Sequence, residues 1–156
     1  MTDTARSVSA YRSVSGYRPT AVAVAFGGLM TALAAGAAEG LLRATRGGGE
    51  FGATAAGLLP RLAIYLVVAA VALYMARGSR VARALLTVGI GVIGLLSLII
   101  EPVAVLLSTD DYGALFTELA PSSAVLAGCR AVHILAVVIA ISAMYTPAAH
   151  RWFTQR

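Results

Sequence analysis

The chain has 156 residues, 59% of them hydrophobic and only 12% charged, with a mean hydropathy of +0.84 and a formal net charge of +5. A soluble domain is about 45–50% apolar and about 25% charged, so this composition excludes a water-soluble globule and places the chain in the membrane class. The basic residues are all arginines at or near the ends of apolar runs, where they set topology and argue against nucleic-acid binding. The single cysteine, Cys129, excludes an intrachain disulfide and a cysteine-based zinc site.

Residues 1–18 read as a basic, disordered cytoplasmic tail. They hold a short repeat, Arg6-Ser7-Val8-Ser9-Ala10-Tyr11 followed by Arg12-Ser13-Val14-Ser15-Gly16-Tyr17. A period of six is too short for a solenoid unit and reads as a local duplication. The functional alternative is electrostatic contact with anionic lipid, about 1 kcal/mol per arginine near the surface.

Residues 19–147 contain four apolar runs that pass the length test for a membrane span, about 17–25 residues. They are Thr20–Leu42, Leu58–Ala76, Ala84–Leu107 and Ser122–Thr146. The predicted fold is all-α, a polytopic four-transmembrane-helix bundle, with 148–156 as a cytoplasmic C-terminal tail. Prolines mark the edges. Pro19 and Pro121 precede the first and fourth runs, Pro60 is expected in the first turn of the second, and Pro147 closes the fourth.

Orientation follows from arginines in the flanks. Arg6, Arg12 and Arg18 lie before the first run, Arg77, Arg80 and Arg83 between the second and third, and Arg151 and Arg156 after the fourth. The connection 108–121 has no arginine and carries Asp110, Asp111 and Glu118. Both termini are therefore expected in the cytoplasm, and the protein in the cytoplasmic membrane as a multi-pass chain. The rival reading is a signal peptide cleaved near Ala35-Gly36-Ala37. The long tail before it and the continuing apolar run after it weigh against that.

The informative residues are the charged ones inside the runs. Glu39, Arg61, Glu101, Arg130 and His133 all fall in the outer half, and every span contributes at least one. An intramembrane charge costs about 2.5–3.5 kcal/mol even on lenient scales, so it needs a partner, a water cavity or a task. Thr87, Gly94, Ser97, Glu101 and Ser108 form one small or polar stripe of the third span, and Arg130 and His133 share a face of the fourth. Matching depths pairs Glu101 with Arg130, and Glu39 with either Arg61 or Arg43. Pro102 is expected to kink the third span just beyond Glu101. Two readings follow: a structural salt bridge beside an ordinary kink, or an ion or proton site built on freed carbonyls and a carboxylate.

Other motifs carry less. Gly36 and Gly40 have the GxxxG spacing that lets helices approach closely, within one chain or in a homodimer. Gly89-Ile90-Gly91-Val92-Ile93-Gly94 matches a dinucleotide fingerprint, but no strand precedes it and it lies mid-span, so it reads as a helix-contact face. Cys129 and His133 have the spacing of a nucleophilic dyad, set against the usual role of a membrane cysteine as a small apolar residue. His133 lacks a second histidine at its depth, since His150 lies beyond Pro147, and haem is not expected. Tyr145, Trp152 and Phe153 read as an interfacial aromatic anchor.

Four short spans with a carboxylate in the first resemble the small multidrug-resistance transporters in outline. Glu39 lies near the outer end, however, opposing arginines stand in the core, and that family's tryptophan and tyrosine cage residues are missing. No activity is carried over. The sequence thus yields two functional classes. The first is a non-enzymatic accessory or scaffold subunit of a membrane assembly, with no catalytic, cofactor or metal residues and with the bilayer and a membrane-protein partner as its surroundings. The second is a small, oligomeric, proton-coupled transporter using Glu101, Arg130 and His133.

Overall fold

A computed structural model describes residues 19–46, 51–108 and 121–155, with side chains left undescribed at 46, 51–56, 58, 101, 102, 105 and 121–123. The expected architecture is what the chain adopts. Among the described residues it is 93% helical, has no strand, and contains four helices long and apolar enough to cross a membrane. In hydrocarbon every backbone N–H and C=O must be bonded within the segment, and a helix does this alone. The tail 1–18 and the acidic connection lie outside the described residues, apart from Ser108 and Pro121 at its edges.

Helix α1 runs Thr20–Arg46 and α2 runs Phe51–Ala76. The third span is α3 (Arg80–Leu86), a π-helical segment (Thr87–Gly94) and α4 (Leu95–Ser108) in direct succession. Helix α5 runs Pro121–Met144, and the short α6 runs Pro147–Thr154. One end of the bundle, the tail end, carries the start of α1, the turn between α2 and α3, and α6. The distal end carries the end of α1, the start of α2, the end of α4 and the start of α5.

The helix bounds differ from the apolar runs, most at the end of α1 and the starts of α2 and α3. Helices α1 and α2 outrun their apolar stretches, because helix is limited by backbone bonding and not by hydropathy. Pro60 consequently lies in the interior of α2 and not in its first turn, where it removes one N–H from the ladder. The wide π turns begin where the Thr87 hydroxyl donates to the Arg83 carbonyl at 2.9 Å. A back-bond of this kind competes with the regular ladder. The glycine motif of the third span lies within this segment. Side-chain atoms of Ile141 approach to 3.2 Å of where a Gly91 Cβ would stand, so Gly91 alone of the three glycines meets another helix, and Gly89 faces open space.

The turn between α2 and α3 is built from Gly78 and Ser79. Gly78 has a φ of 101°, open to glycine at little cost. Its N–H donates to the Met75 carbonyl at 2.8 Å, and the Ser79 N–H to that of Tyr74 at 3.2 Å. The Ser79 hydroxyl then accepts from the Ala82 N–H at 3.2 Å and starts α3.

The main core lies at the tail end. Val22, Ala25, Leu29, Ala72, Met75, Ala82, Leu86, Ala140 and Met144 are buried there together with Ala149, Trp152 and Phe153 of α6. Trp152 and Phe153 are thus core residues and not an interfacial anchor, and of the three aromatics only Tyr145 is exposed. The physical reason is Pro147. It ends α5 but also sits at the first position of a new helix, after Thr146, whose hydroxyl accepts from the Ala149 N–H at 3.4 Å. Spacings of three and four then put Ala149, Trp152 and Phe153 on one face. Arg80 caps the far end, donating from Nε to the Phe153 carbonyl at 2.6 Å and from Nη2 to that of Thr154 at 2.7 Å.

The most extensive helix pairing is α1 on α5. At Gly28 a Cβ would stand 2.9 Å from the Ala136 carbonyl oxygen and 3.0 Å from the Ala140 Cβ, so the two backbones touch there. Gly28→Ala is expected to destabilise the protein by about 1–2 kcal/mol, because a backbone oxygen cannot move aside. Gly27→Ala, with nothing within 4 Å of the new methyl, should be neutral or stabilising. Melting of the two purified variants in one detergent compares them, and equal losses would refute the close seam.

Candidate functional site

The distal half of α1 carries Glu39, buried to 7% exposure. Its Oε1 accepts from Arg43 Nη2 at 2.9 Å, one turn on along α1, and from Arg130 Nη2 of α5 at 3.3 Å. The carboxylate therefore ties α1 to α5. Of the partners expected for Glu39, the structure selects Arg43, adds Arg130, and forms no Glu39–Arg61 bridge. Counted from the helix ends, Glu39 lies seven residues, about 10 Å, from the end of α1, and Arg130 nine residues, about 13 Å, from the start of α5.

The GxxxG pair of α1 makes room for the rest of the site within the same chain. A Cβ on Gly36 would stand 3.1 Å from His133 Nδ1 and 3.2 Å from the Tyr65 hydroxyl, and one on Gly40 would stand 3.3 Å from Arg61 Nη1. The two glycines thus accept an imidazole from α5 and, from α2, a tyrosine and an arginine four residues apart. His133 Nδ1 is buried and has no hydrogen-bond partner among the described residues. Arg61 is exposed and forms no ion pair among them.

Glu39, Arg61, Arg130 and His133 are therefore gathered at one place by α1, α2 and α5. For Glu101 and Pro102 only the backbone is described. Helix α4 continues through both to Ser108 without a break in its helical assignment, and the side-chain pairing expected there lies outside what is described. Sequence reasoning missed Tyr65. Its signal was available: it follows Arg61 by four residues on one face of a span.

Beside this cluster lies a cleft of about 520 Å³, walled by α1, α2 and the third span and touched by His133 of α5. Helix α2 meets the third span chiefly along Arg80–Leu86, next to their shared turn, and the walls are separate beyond it. Wall residues Ile64, Val67 and Leu85 remain largely exposed, so the cleft opens sideways. Its tail-end part is wholly apolar, with Leu29, Val71, Leu85 and Leu86. Its polar side chains, Tyr65, Ser97 and His133, collect at the distal end. Gly89 and Gly94 of the π-helical segment form part of the wall.

The Glu39 carboxylate is occupied by two guanidinium groups, and among the described residues no three His, Cys, Asp or Glu side chains converge as metal ligands. An apolar cleft with a few polar groups at one end is the usual form of a small-molecule site, at a typical volume of about 300–1,000 Å³. No family model, no curated protein and no solved structure matches the chain. Fold and composition define a small multi-pass membrane protein.

Proposed function

We propose that the protein is a non-enzymatic carrier or binding protein of the cytoplasmic membrane. In this reading the sideways cleft receives the apolar part of a ligand, and the Arg61–Tyr65–His133 end receives its polar part. The single observation that carries the reading is His133. The same side chain lines the cleft, packs on Gly36 beside the Glu39–Arg130 pair, and holds a buried Nδ1 with no described partner. Buried polar atoms are normally hydrogen-bonded, and this one borders a cleft. Both termini are assigned to the cytoplasm, since Arg77, Arg80, Arg83 and Arg151 all belong to the tail end.

The accessory-subunit reading stands second, favoured by how little of α2 and the third span is buried, 11% and 6% of their apolar windows. Native mass spectrometry of protein extracted from its own membrane in mild detergent separates the two. The carrier reading expects a retained small molecule at one per chain, lost in Gly89→Leu. Gly89 lines the cleft and nothing lies within 4 Å of a Cβ there, so the leucine side chain starts into open space. A second polypeptide at fixed ratio, unaffected by Gly89→Leu, would establish the accessory subunit instead.

A further inference from the structure

We infer that the cleft takes an uncharged lipophile with a carbonyl or hydroxyl oxygen, that oxygen held near the bilayer centre by the Tyr65 hydroxyl and the hydrocarbon part running toward the tail end. This rests on the carrier reading above and names its ligand class. Three observations carry it.

The first is depth. Tyr65 and His133 each lie eleven residues, about 16 Å, from the tail ends of α2 and α5, and Ser97 lies eleven residues from the distal end of α4. The polar side chains of the lining therefore stand near the middle of a hydrocarbon core about 30 Å thick. From there the cleft runs past Leu29 and Val71 to Leu85 and Leu86, close to the tail-end start of the third span. A phospholipid has the reverse order, with its polar group at the membrane surface and its chains at the centre. The cleft fits a molecule whose polar group tolerates the bilayer interior.

The second is charge. Among the described residues no arginine, aspartate or glutamate lines the cleft. A charged group entering it would leave the headgroups and meet no described counter-charge, which hydrocarbon penalises heavily. Entry is sideways, past the exposed Ile64 and Val67, so the ligand comes out of the bilayer itself.

The third is an unpaired hydroxyl. Tyr65 reaches across to α1, where a Cβ on Gly36 would stand 3.2 Å from its oxygen, one turn beyond the cleft residue Ala32. That hydroxyl forms no hydrogen bond among the described residues, and its neighbours do not close it off. His133 Nδ1, by contrast, is closed in against Gly36. The Ser97 hydroxyl already donates to the Gly94 carbonyl at 2.8 Å. A phenol hydroxyl both donates and accepts, so a ligand carbonyl or hydroxyl satisfies Tyr65 equally.

The test uses the full-length protein in mild detergent and a hexadecanol carrying a photoreactive diazirine in its chain, with labelled residues mapped by mass spectrometry. In the wild type one probe per chain should attach to the cleft wall around Val68 and Leu86. Unlabelled hexadecanol and hexadecyl methyl ketone should displace it at about fivefold lower concentration than hexadecane does, the contribution of one neutral hydrogen bond. Hexadecanoate at alkaline pH and phosphatidylglycerol should not displace it. Tyr65→Phe should remove the advantage of the alcohol and the ketone and leave displacement by hexadecane unchanged, whereas a merely structural hydroxyl would move all three together. Gly89→Leu should abolish labelling of the wall. Val67→Trp, on the α2 side, should do the same and covers the case in which Gly89→Leu misfolds.

Displacement by hexadecane as ready as by the alcohol and the ketone, or an advantage that survives in Tyr65→Phe, overturns the oxygen site at Tyr65. Displacement by hexadecanoate or phosphatidylglycerol as ready as by hexadecanol overturns the uncharged class and leaves the carrier reading standing. Labelling of the wall that is absent, that does not saturate, or that persists in folded Gly89→Leu and Val67→Trp overturns both.

Discussion

Phe153→Ala is expected to lower the stability of the protein by about 3–5 kcal/mol, the usual cost of truncating a buried phenylalanine. Phe153 is wholly buried in the tail-end core. Its ring also lies 4.8 Å from the Arg83 guanidinium, which covers the Tyr145 ring at 5.0 Å on another side. The location makes the loss large. Between membrane helices the hydrophobic effect is weak, because lipid tails are as apolar as leucine. At the bundle end water competes for the same surface, and burial there contributes its full value. Thermal unfolding in detergent measures the change. Tyr145→Ala, at an exposed residue, is the control and should cost under about 1 kcal/mol. A Phe153→Ala protein as stable as this control would show that α6 is a surface anchor after all.

The second large effect is expected at Glu39. Glu39→Leu should cost about 2–4 kcal/mol, because it removes the carboxylate shared by α1 and α5 and leaves a guanidinium facing leucine. The loss should reside mostly in the Arg130 contact. Arg43 has 41% of its side chain exposed and can turn to the headgroups or water. A double-mutant cycle between Glu39→Gln and Arg43→Gln should therefore give a coupling below about 1 kcal/mol. The corresponding cycle with Arg130→Gln should exceed it. A Glu39→Leu protein with wild-type melting behaviour would remove Glu39 as a tie between helices and leave ligand binding as the reason for its charge.

Together these residues divide the molecule. The tail end is closed by large buried side chains and by Arg80 and Arg83 bonding across α3 and α6. The distal half holds a thinner core of Ala32, Ala136 and Val137, the ionic node and the open cleft. Low contact density is where local opening occurs.

The sequence by itself determined the membrane class, the all-α fold, the four spans, and the set of ionisable residues inside them. These follow from apolar length and from the cost of a charge in hydrocarbon, which are properties of one segment at a time. It also placed Arg130 and His133 on a shared face, since that depends only on helical period. Only the tertiary structure decided that Glu39 bridges Arg43 and Arg130, that Gly36 and Gly40 receive His133, Tyr65 and Arg61, and that Trp152 and Phe153 turn inward. Hydropathy marks where a span is apolar and leaves open where the helix ends, how far it is rotated, and how two helices diverge from a turn. Those are fixed by contacts such as Gly28 against the Ala136 carbonyl, where a missing side chain on one helix meets the backbone of another more than 100 residues away in sequence.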